Sequence, residues 1–253
     1  NDTGHDLQQG SYLGPRYSNE IVKAFLSNNG YLYHELNCDN RASTIAKLIA
    51  EGMIVGYMAG RMEFGPRALG ARSILGDARR QDTQTVMNLK IKYRESFRPF
   101  APSVLEEKFS DYFELDRSSP YMLLVSEVCK ERRLPQPSMD GMAMMDRLKV
   151  KRSDIPAITH LNYSARLQTL NKKDKPDYHA IISEFEKLTG CAVIVNTSFN
   201  VRGEPIICTP EDAYKCFMRT EMDVLVIEDC ILFKKEQPKW EEKADWRNEL
   251  ELD

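Results

Sequence analysis

The stretch DYHAIISEFEKLTGCAVIVNTSFN, residues 177–200, decides the fold. Ile181, Ile182, Phe185 and Leu188 recur at helical spacing from 177 to 188, Gly190 stops the helix, and CAVIV (191–195) follows as an unbroken apolar run. A helix that passes through a glycine into a strand without polar alternation is the building unit of a sheet covered by helices. The strand then emits a polar turn, Asn196, Thr197, Ser198, Phe199 and Asn200. Open α/β sheets bind ligands beyond the carboxyl ends of their strands, so this turn is the first place to look for a site.

Working outward, the alternation repeats. Thr209-Pro210-Glu211-Asp212 is a helix start with a cap, a first-position proline and first-turn acids, and VLVIED and CILFKK close the chain as a strand pair. Toward the amino end, a helix over 43–50 (Ile45, Leu48, Ile49) feeds the strand MIVGYM (53–58). RQDTQTVMNLKIK reads as a helix, RPFAPSVL and YMLLVSEV as strands, EKFSDYFEL as a short helix, and IPAITHL and ARLQTL as further strands. A lead-in of about 40 residues carries a Ser18-capped helix with Ile21, Phe25 and Leu26 as its stripe. Residues 130–154, rich in Pro, Gly, Met and mixed charge, suit a mobile lid. The tail from Glu236, with Trp240 and Trp246 among many charges, suits a peripheral helix or partner surface.

Composition bounds the function. With 253 residues, 42% of them hydrophobic, the chain can bury a full core. A net charge of −3 from 35 basic and 38 acidic residues gives no bulk attraction to nucleic acid, so any anion site must be a local cluster of cations. The six cysteines show no C-x-x-C pair, against zinc and against a disulfide scaffold; with no apolar run of membrane length and no signal segment, a cytoplasmic location is expected. The opening NDTGHDLQQG is also compatible with a cut end.

Four motifs carry chemistry. GRMEFGPRALGARSIL (60–75) sets Gly60, Gly65, Gly70 and Pro66 around Arg61, Arg67 and Arg72, either a structural turn or an oxyanion-holding loop, with Glu63 placed to orient one arginine by an ion pair. NLKIKYRESFRPFAPSVL (88–105) clusters Lys90, Lys92, Arg94 and Arg98 with only Glu95 between them; on an extended segment the K-x-R tripeptide puts both cations on one face, and S-x-N at 198–200 does the same with two small hydrogen-bonding groups. THLNYSARLQTL (159–170) offers Arg166 and a histidine, His160, and NTSFNVRGEP offers Asn196, Thr197, Ser198, Asn200 and Arg202. No Ser-His-Asp set, HExxH, P-loop lysine or paired metal-binding aspartates appear, so the chemistry implied is electrostatic: alignment and charge neutralisation at phosphorus. Removing Lys92 or Arg94 is expected to end activity without lowering the thermal midpoint, by relieving cation repulsion.

These four motifs, in this order over residues 12–234, resemble the C-terminal domain of NodU/CmcH-type O-carbamoyltransferases. The resemblance implies a YrdC-like fold, a twisted, open, mixed α/β sheet with flanking helices and a basic cleft, spanning 41–234 between a lead-in (1–40) from a missing N-terminal domain and a charged tail (235–253). It implies synthesis of carbamoyladenylate from carbamoyl phosphate and ATP with release of pyrophosphate, Mg²⁺ accompanying the leaving group. The K-x-R and S-x-N signature corresponds to Lys92/Arg94 and Ser198/Asn200. Lys92, Arg94, Arg98, Arg67 and Arg166 are the implied catalytic cations. Asn196, Ser198, Asn200, Arg72, Glu63, Gly65, His160 and Arg202 are the implied substrate and ATP contacts, and no metal ligand is expected in this chain. Where the family shows Asp-Gly after the third motif's histidine, Asn162-Tyr163 stands here. The expected partner is an actin-like kinase-fold domain or subunit that holds iron or a similar metal and transfers the carbamoyl group. No membrane partner is expected, nucleic acid only if the acceptor is a modified nucleobase, and a homo-oligomer is compatible. The rival readings are a threonylcarbamoyl-adenylate synthase and a non-catalytic nucleotide- or RNA-binding module.

Overall fold

The structure, a computed structural model, describes residues 8–240. In chain order the elements are α1 (Asn19–Asn28), β1 (His34–Glu35), α2 (Arg41–Ala50), β2 (Val55–Met58), β3 (Arg72–Asp77), α3 (Gln81–Lys90), β4 (Ala101–Leu105), β5 (Val125–Glu127), α4 (Met144–Lys149), β6 (Ser164–Arg166), β7 (Gln168–Leu170), α5 (Pro176–Thr189), β8 (Val193–Ser198), α6 (Pro210–Arg219), β9 (Val224–Ile227) and β10 (Cys230–Phe233). Eight strands form one open sheet in the order β1-β10-β9-β2-β3-β8-β4-β7, while β5 and β6 pair as a separate ribbon. Within the sheet β2 runs parallel to β9 and β4 parallel to β7; the other pairs are antiparallel. This is the mixed α/β sheet with flanking helices that the sequence implies.

The local chemistry explains the boundaries. α6 begins on a capping box in which Thr209 Oγ1 accepts from the Asp212 N–H and the Asp212 carboxylate accepts from the Thr209 N–H, with Pro210 filling the first turn. α5 starts at Pro176 and ends on left-handed Gly190. Strands β2, β3 and β9 are buried at every position because α2 and α5 pack against each other over the sheet and α6 packs on β2 and β9. Gly70 has φ of +103°, and a Cβ there would sit 2.1 Å from the Tyr178 ring, so only glycine fits between the site loop and α5.

Several expectations are corrected. IPAITHL is no strand: Pro156–Ile158 form a single 3₁₀ turn against α3, since an apolar run of that length becomes a strand only if a neighbour offers a free edge. YMLLVSEV shortens to β5, because Met122 takes a left-handed φ of 55° and breaks the extended chain. In α1 the inward residues are Val22 and Leu26, and Ile21 is exposed. Residues 130–154 have structure of their own: Arg133 bridges to Ser153, the Leu134 N–H donates to the Arg152 carbonyl, Arg132 pairs with Asp154 at 2.5 Å, and α4 forms within the excursion. The lead-in packs onto the core, with Tyr12 Oη donating to the Leu69 carbonyl at 2.8 Å. Trp240 stands edge-on to Tyr214 at 5.9 Å, and Trp246 lies outside the described residues.

The topology positions the site. β8 runs antiparallel to β3 and β4, its neighbours, with Ser198 opposite Ser73 and Asn196 opposite both Leu75 and Ala101. The carboxyl end of β8 therefore lies beside the amino ends of β3 and β4, and β7, parallel to β4, starts there too. The loops feeding those starts are the Gly/Arg loop, the K-x-R loop and the β6 segment carrying Arg166. Four motifs distant in sequence thus converge at one end of the sheet.

Candidate active site

The K-x-R segment is not extended. It is a tight loop after α3 in which Tyr93 takes a positive φ of 48°, and the two cations diverge in role. Lys92 is fully buried, and its Nζ donates to the Ser198 carbonyl (2.6 Å), Ser198 Oγ (3.3 Å), the Asn200 carbonyl (2.8 Å) and Asn200 Oδ1 (2.7 Å). It ties the S-x-N turn to the loop from beneath. Burial pushes its ammonium down to about 7, with Arg94 adding repulsion. Arg94 instead faces the opening: its Nε donates to Asn88 Oδ1 at 2.7 Å and its guanidinium lies 4.9 Å from the centre of the Phe100 ring. Burial, then the Arg98 charge, push Arg94 down to about 10.

At the sheet end lies a cleft of about 170 Å³ whose polar lining includes Arg67, Arg94, Arg166, Asn196, Thr197 and Ser198. Among the described residues none of the three arginines forms an ion pair. Arg166 Nε is buried without a hydrogen-bond partner, and burial, then the Arg67 charge, push its pKa below the ordinary arginine value. Asn196 Oδ1 is likewise buried and unpartnered. Three converging cations without an ion pair, beside one orphaned donor and one orphaned acceptor, make a candidate site for a compact anion that also carries an N–H. Among the described residues no Asp or Glu lines this cleft, and no three His, Cys, Asp or Glu side chains group to hold a metal ion. Mg²⁺ therefore has no protein carboxylate here and fits the cleft only as a companion of a polyphosphate.

Other sequence candidates support the cleft from outside. Among the described residues Glu63 pairs with no arginine; its buried Oε1 accepts from the N–H groups of Leu69 (2.7 Å), Ala71 (2.7 Å) and Arg72 (3.1 Å), folding the loop that presents Arg67. Arg72 is buried on β3 and donates to the carbonyls of Gly60, Ala71 and Pro15, so it fastens backbone and does not line the cleft. Asn200 engages Lys92, Ser198 and the Glu204 carbonyl and positions the turn, leaving Ser198 as the member of the pair at the opening. Arg98 pairs with Glu95 at 3.0 Å in solvent. Gly65, at φ +140° in open space, shapes the loop, and Arg202 adds positive potential at Arg94 without lining the cleft. His160 lines a neighbouring cavity; burial, then Arg166, lower its basicity.

Reading the sequence missed the buried polar frame. Asn88 Nδ2 donates to the carbonyls of Ser96 (3.1 Å) and Arg98 (2.7 Å) while its oxygen holds Arg94. Gln168, Ser103 and Asn196 bond to one another, and Gln168 Nε2 and Asn196 Nδ2 reach the carbonyls of Leu69 and Ala68 in the Arg67 loop. A polar residue inside a short strand, such as Gln168 in ARLQTL, is the signal that was available.

A family model described as the carbamoyltransferase C-terminus matches residues 46–234. The chain belongs to the carbamoyltransferase C-terminal family. The matched span contains all four motifs and the whole cleft. Over 251 residues the chain is 54% identical to an uncharacterized protein of Synechocystis, covering 98% of this chain and 41% of the relative. Over 226 residues it is 37% identical to the nodulation protein NolO of Bradyrhizobium diazoefficiens, covering 88% and 38%. The chain thus spans about two fifths of the length of these curated relatives. The solved structure of full-length HypF in its phosphate- and nucleotide-bound form aligns with a TM-score of 0.46 at 17% identity, over 82% of this chain and 23% of that one. No described helix of this carbamoyltransferase C-terminal domain is long and apolar enough to cross a membrane.

The lysine under the cleft gives a pH dependence with a definite sign. Its folded value lies below the ordinary lysine value, so between about pH 7 and 10 the unfolded chain holds a proton that the folded chain lacks, and stability gains with rising pH across that window. Thermal midpoints measured from about pH 6.5 to 9 are expected to include this rising contribution in the wild type and to lose it in Lys92→Met. Equal slopes for the two proteins would mean that Lys92 is not titrating there.

Proposed function

We propose that this domain converts carbamoyl phosphate and ATP into carbamoyladenylate, releasing phosphate and pyrophosphate. The observation that carries the reading is the trio Arg67, Arg94 and Arg166, unpaired among the described residues, around a phosphate-sized cleft in a carbamoyltransferase-family domain. Carbamoyl phosphate is first split by water: the carbonyl–oxygen bond to phosphate breaks, giving carbamate and inorganic phosphate. A carbamate oxygen then attacks the α-phosphorus of ATP, and the bond to the β-phosphate breaks as pyrophosphate leaves. No protein nucleophile is needed, because positioning and charge stabilisation carry phosphoryl and nucleotidyl transfer. The substrates together bring about six negative charges, which the arginines offset. The arginines hold the oxygens, Asn196 Oδ1, an unpartnered acceptor, can receive the carbamoyl N–H, Lys92 fixes the turn carrying Ser198, and Mg²⁺ entering with ATP would add charge neutralisation at the polyphosphate.

Transfer of the carbamoyl group to an acceptor hydroxyl is assigned to the remainder of a longer protein or to a partner subunit, in keeping with the two-fifths coverage of the relatives. The test is ATP–pyrophosphate exchange with and without carbamoyl phosphate. Exchange is expected only with carbamoyl phosphate present. Exchange driven by threonine and bicarbonate instead would favour a threonylcarbamoyl-adenylate synthase, and binding of ATP with no exchange under any condition would favour a non-catalytic module.

A further inference from the structure

Three neighbouring strands present a buried polar row behind the arginine cleft. Asn196 on β8 stands opposite Ala101 of β4, Ser103 follows two residues along on the same face, and Gln168 of β7 stands opposite Ser103. All three side chains are at most 1% exposed. Of the three, Asn196 lines the cleft.

The neighbours fix which way each amide turns. Backbone carbonyls only accept, so the Ala68 carbonyl (3.1 Å) draws Asn196 Nδ2 and the Leu69 carbonyl (2.8 Å) draws Gln168 Nε2. With its nitrogen committed there, Gln168 turns Oε1 toward the other two: it accepts from Ser103 Oγ at 2.7 Å and from Asn196 Nδ2 at 2.9 Å. The Ser103 hydroxyl has a single hydrogen, donated to Gln168, so it meets Asn196 Nδ2 as an acceptor at 3.0 Å. Each of these contacts draws the nitrogen of Asn196 away from a ligand. Its Oδ1, buried and without a hydrogen-bond partner among the described residues, is left as the acceptor. Exchanging the two ends of the Asn196 amide would set its oxygen against the Ala68 carbonyl and Gln168 Oε1, so the row holds one orientation.

We propose that Asn196 Oδ1 selects an acyl phosphate whose acyl group carries N–H₂ over one that carries a methyl, and that Gln168 and Ser103 are the positioning residues that keep it an acceptor. The inference rests on the carbamoyl phosphate reading and names the contact that tells a carbamoyl group from an acetyl group of the same shape. The arginines do not make that distinction, because they meet the phosphate that both compounds share. The oxygen does: an N–H satisfies a buried acceptor, whereas a methyl leaves it stranded. Leu69 keeps Tyr12 Oη at 2.8 Å as a second donor, so the Arg67 loop retains a tie to the core when Gln168 is altered.

Titration calorimetry on the full chain with two hydrolysis-resistant phosphonates tests it. Phosphonoacetamide and acetonylphosphonate differ only in N–H₂ against CH₃ on the same carbonyl, and both offer the cleft one phosphonate. The amide is expected to bind the wild type at least about tenfold more tightly, and Asn196→Leu should bring the two ligands within about threefold of each other. Gln168→Leu should shrink the advantage through the affinity of the amide alone, whereas a merely loosened site would weaken both ligands together. Ser103→Ala, which removes a single oxygen, should act in the same direction and serves if Gln168→Leu does not fold. Equal affinities in the wild type would overturn the selection, and an advantage that survives both Gln168→Leu and Ser103→Ala would overturn the positioning; either result leaves the arginine cleft and adenylate formation standing. Binding of neither phosphonate would count against the cleft itself and remove the inference with it.

Discussion

Lys92→Ala is expected to abolish carbamoyl-phosphate-dependent exchange and to lower the thermal midpoint. The sequence alone suggests the opposite for stability, because removing one of four clustered cations relieves repulsion. The structure changes that expectation: Lys92 Nζ is the shared donor to four oxygens of Ser198 and Asn200, all on the turn that forms one wall of the cleft. Losing it strands buried acceptors, at about 1–3 kcal/mol each, partly offset by relief from burying a charge. A net loss of about 3 kcal/mol, or a fall of ~6–12 °C for a chain of this size, is the expected result by calorimetry. Lys92→Met fills the space without restoring the donor, so it should recover part of the stability and none of the exchange. An alanine variant as stable as wild type would mean that the turn stands without its lysine.

Arg166→Ala and Arg67→Ala should behave differently. Neither side chain pairs with a carboxylate among the described residues, and each raises the potential on the other, so their removal should leave the thermal midpoint unchanged or higher. Function should suffer: removing one preorganised donor aimed at developing negative charge costs about 10²–10³ in turnover. The informative comparison is therefore kcat/KM against midpoint, measured on the same preparations. Turnover within threefold of wild type in both variants would remove the arginines from the site.

The contrast between these cations marks where the sequence stops being legible. That Ser198 and Asn200 stand where a core strand emits its polar turn can be read from spacing, because helix 177–188, Gly190 and the apolar run fix that point, whereas their meeting with Lys92 and Arg94 is what the family resemblance implies. The depth of each cation cannot be read. Arg72 and Arg67 stand five residues apart in one loop, yet Arg72 is the first residue of a strand buried on both faces and Arg67 is exposed on the loop. Only the pairing of β3 with β2 and β8 decides that. Asn88 is unreadable for a related reason: its three partners are brought back to it by a loop whose turn depends on a left-handed Tyr93, a conformation that a non-glycine residue seldom advertises. The site also sits at the carboxyl end of β8 alone, since β3, β4 and β7 begin there; the mixed sheet, not a parallel one, gathers the motifs.

In the proposed reaction the arginine cleft directs carbamate to the α-phosphorus of ATP. Phosphorus NMR of the reaction with ¹³C-carbamoyl phosphate tests it most directly, because attack at different phosphorus atoms leaves different products. Pyrophosphate and a ¹³C-labelled adenylate ester are expected in equal amounts from the wild type, and neither from Arg94→Ala. Formation of ADP and phosphate without pyrophosphate, or of unlabelled AMP independent of carbamoyl phosphate, would contradict it.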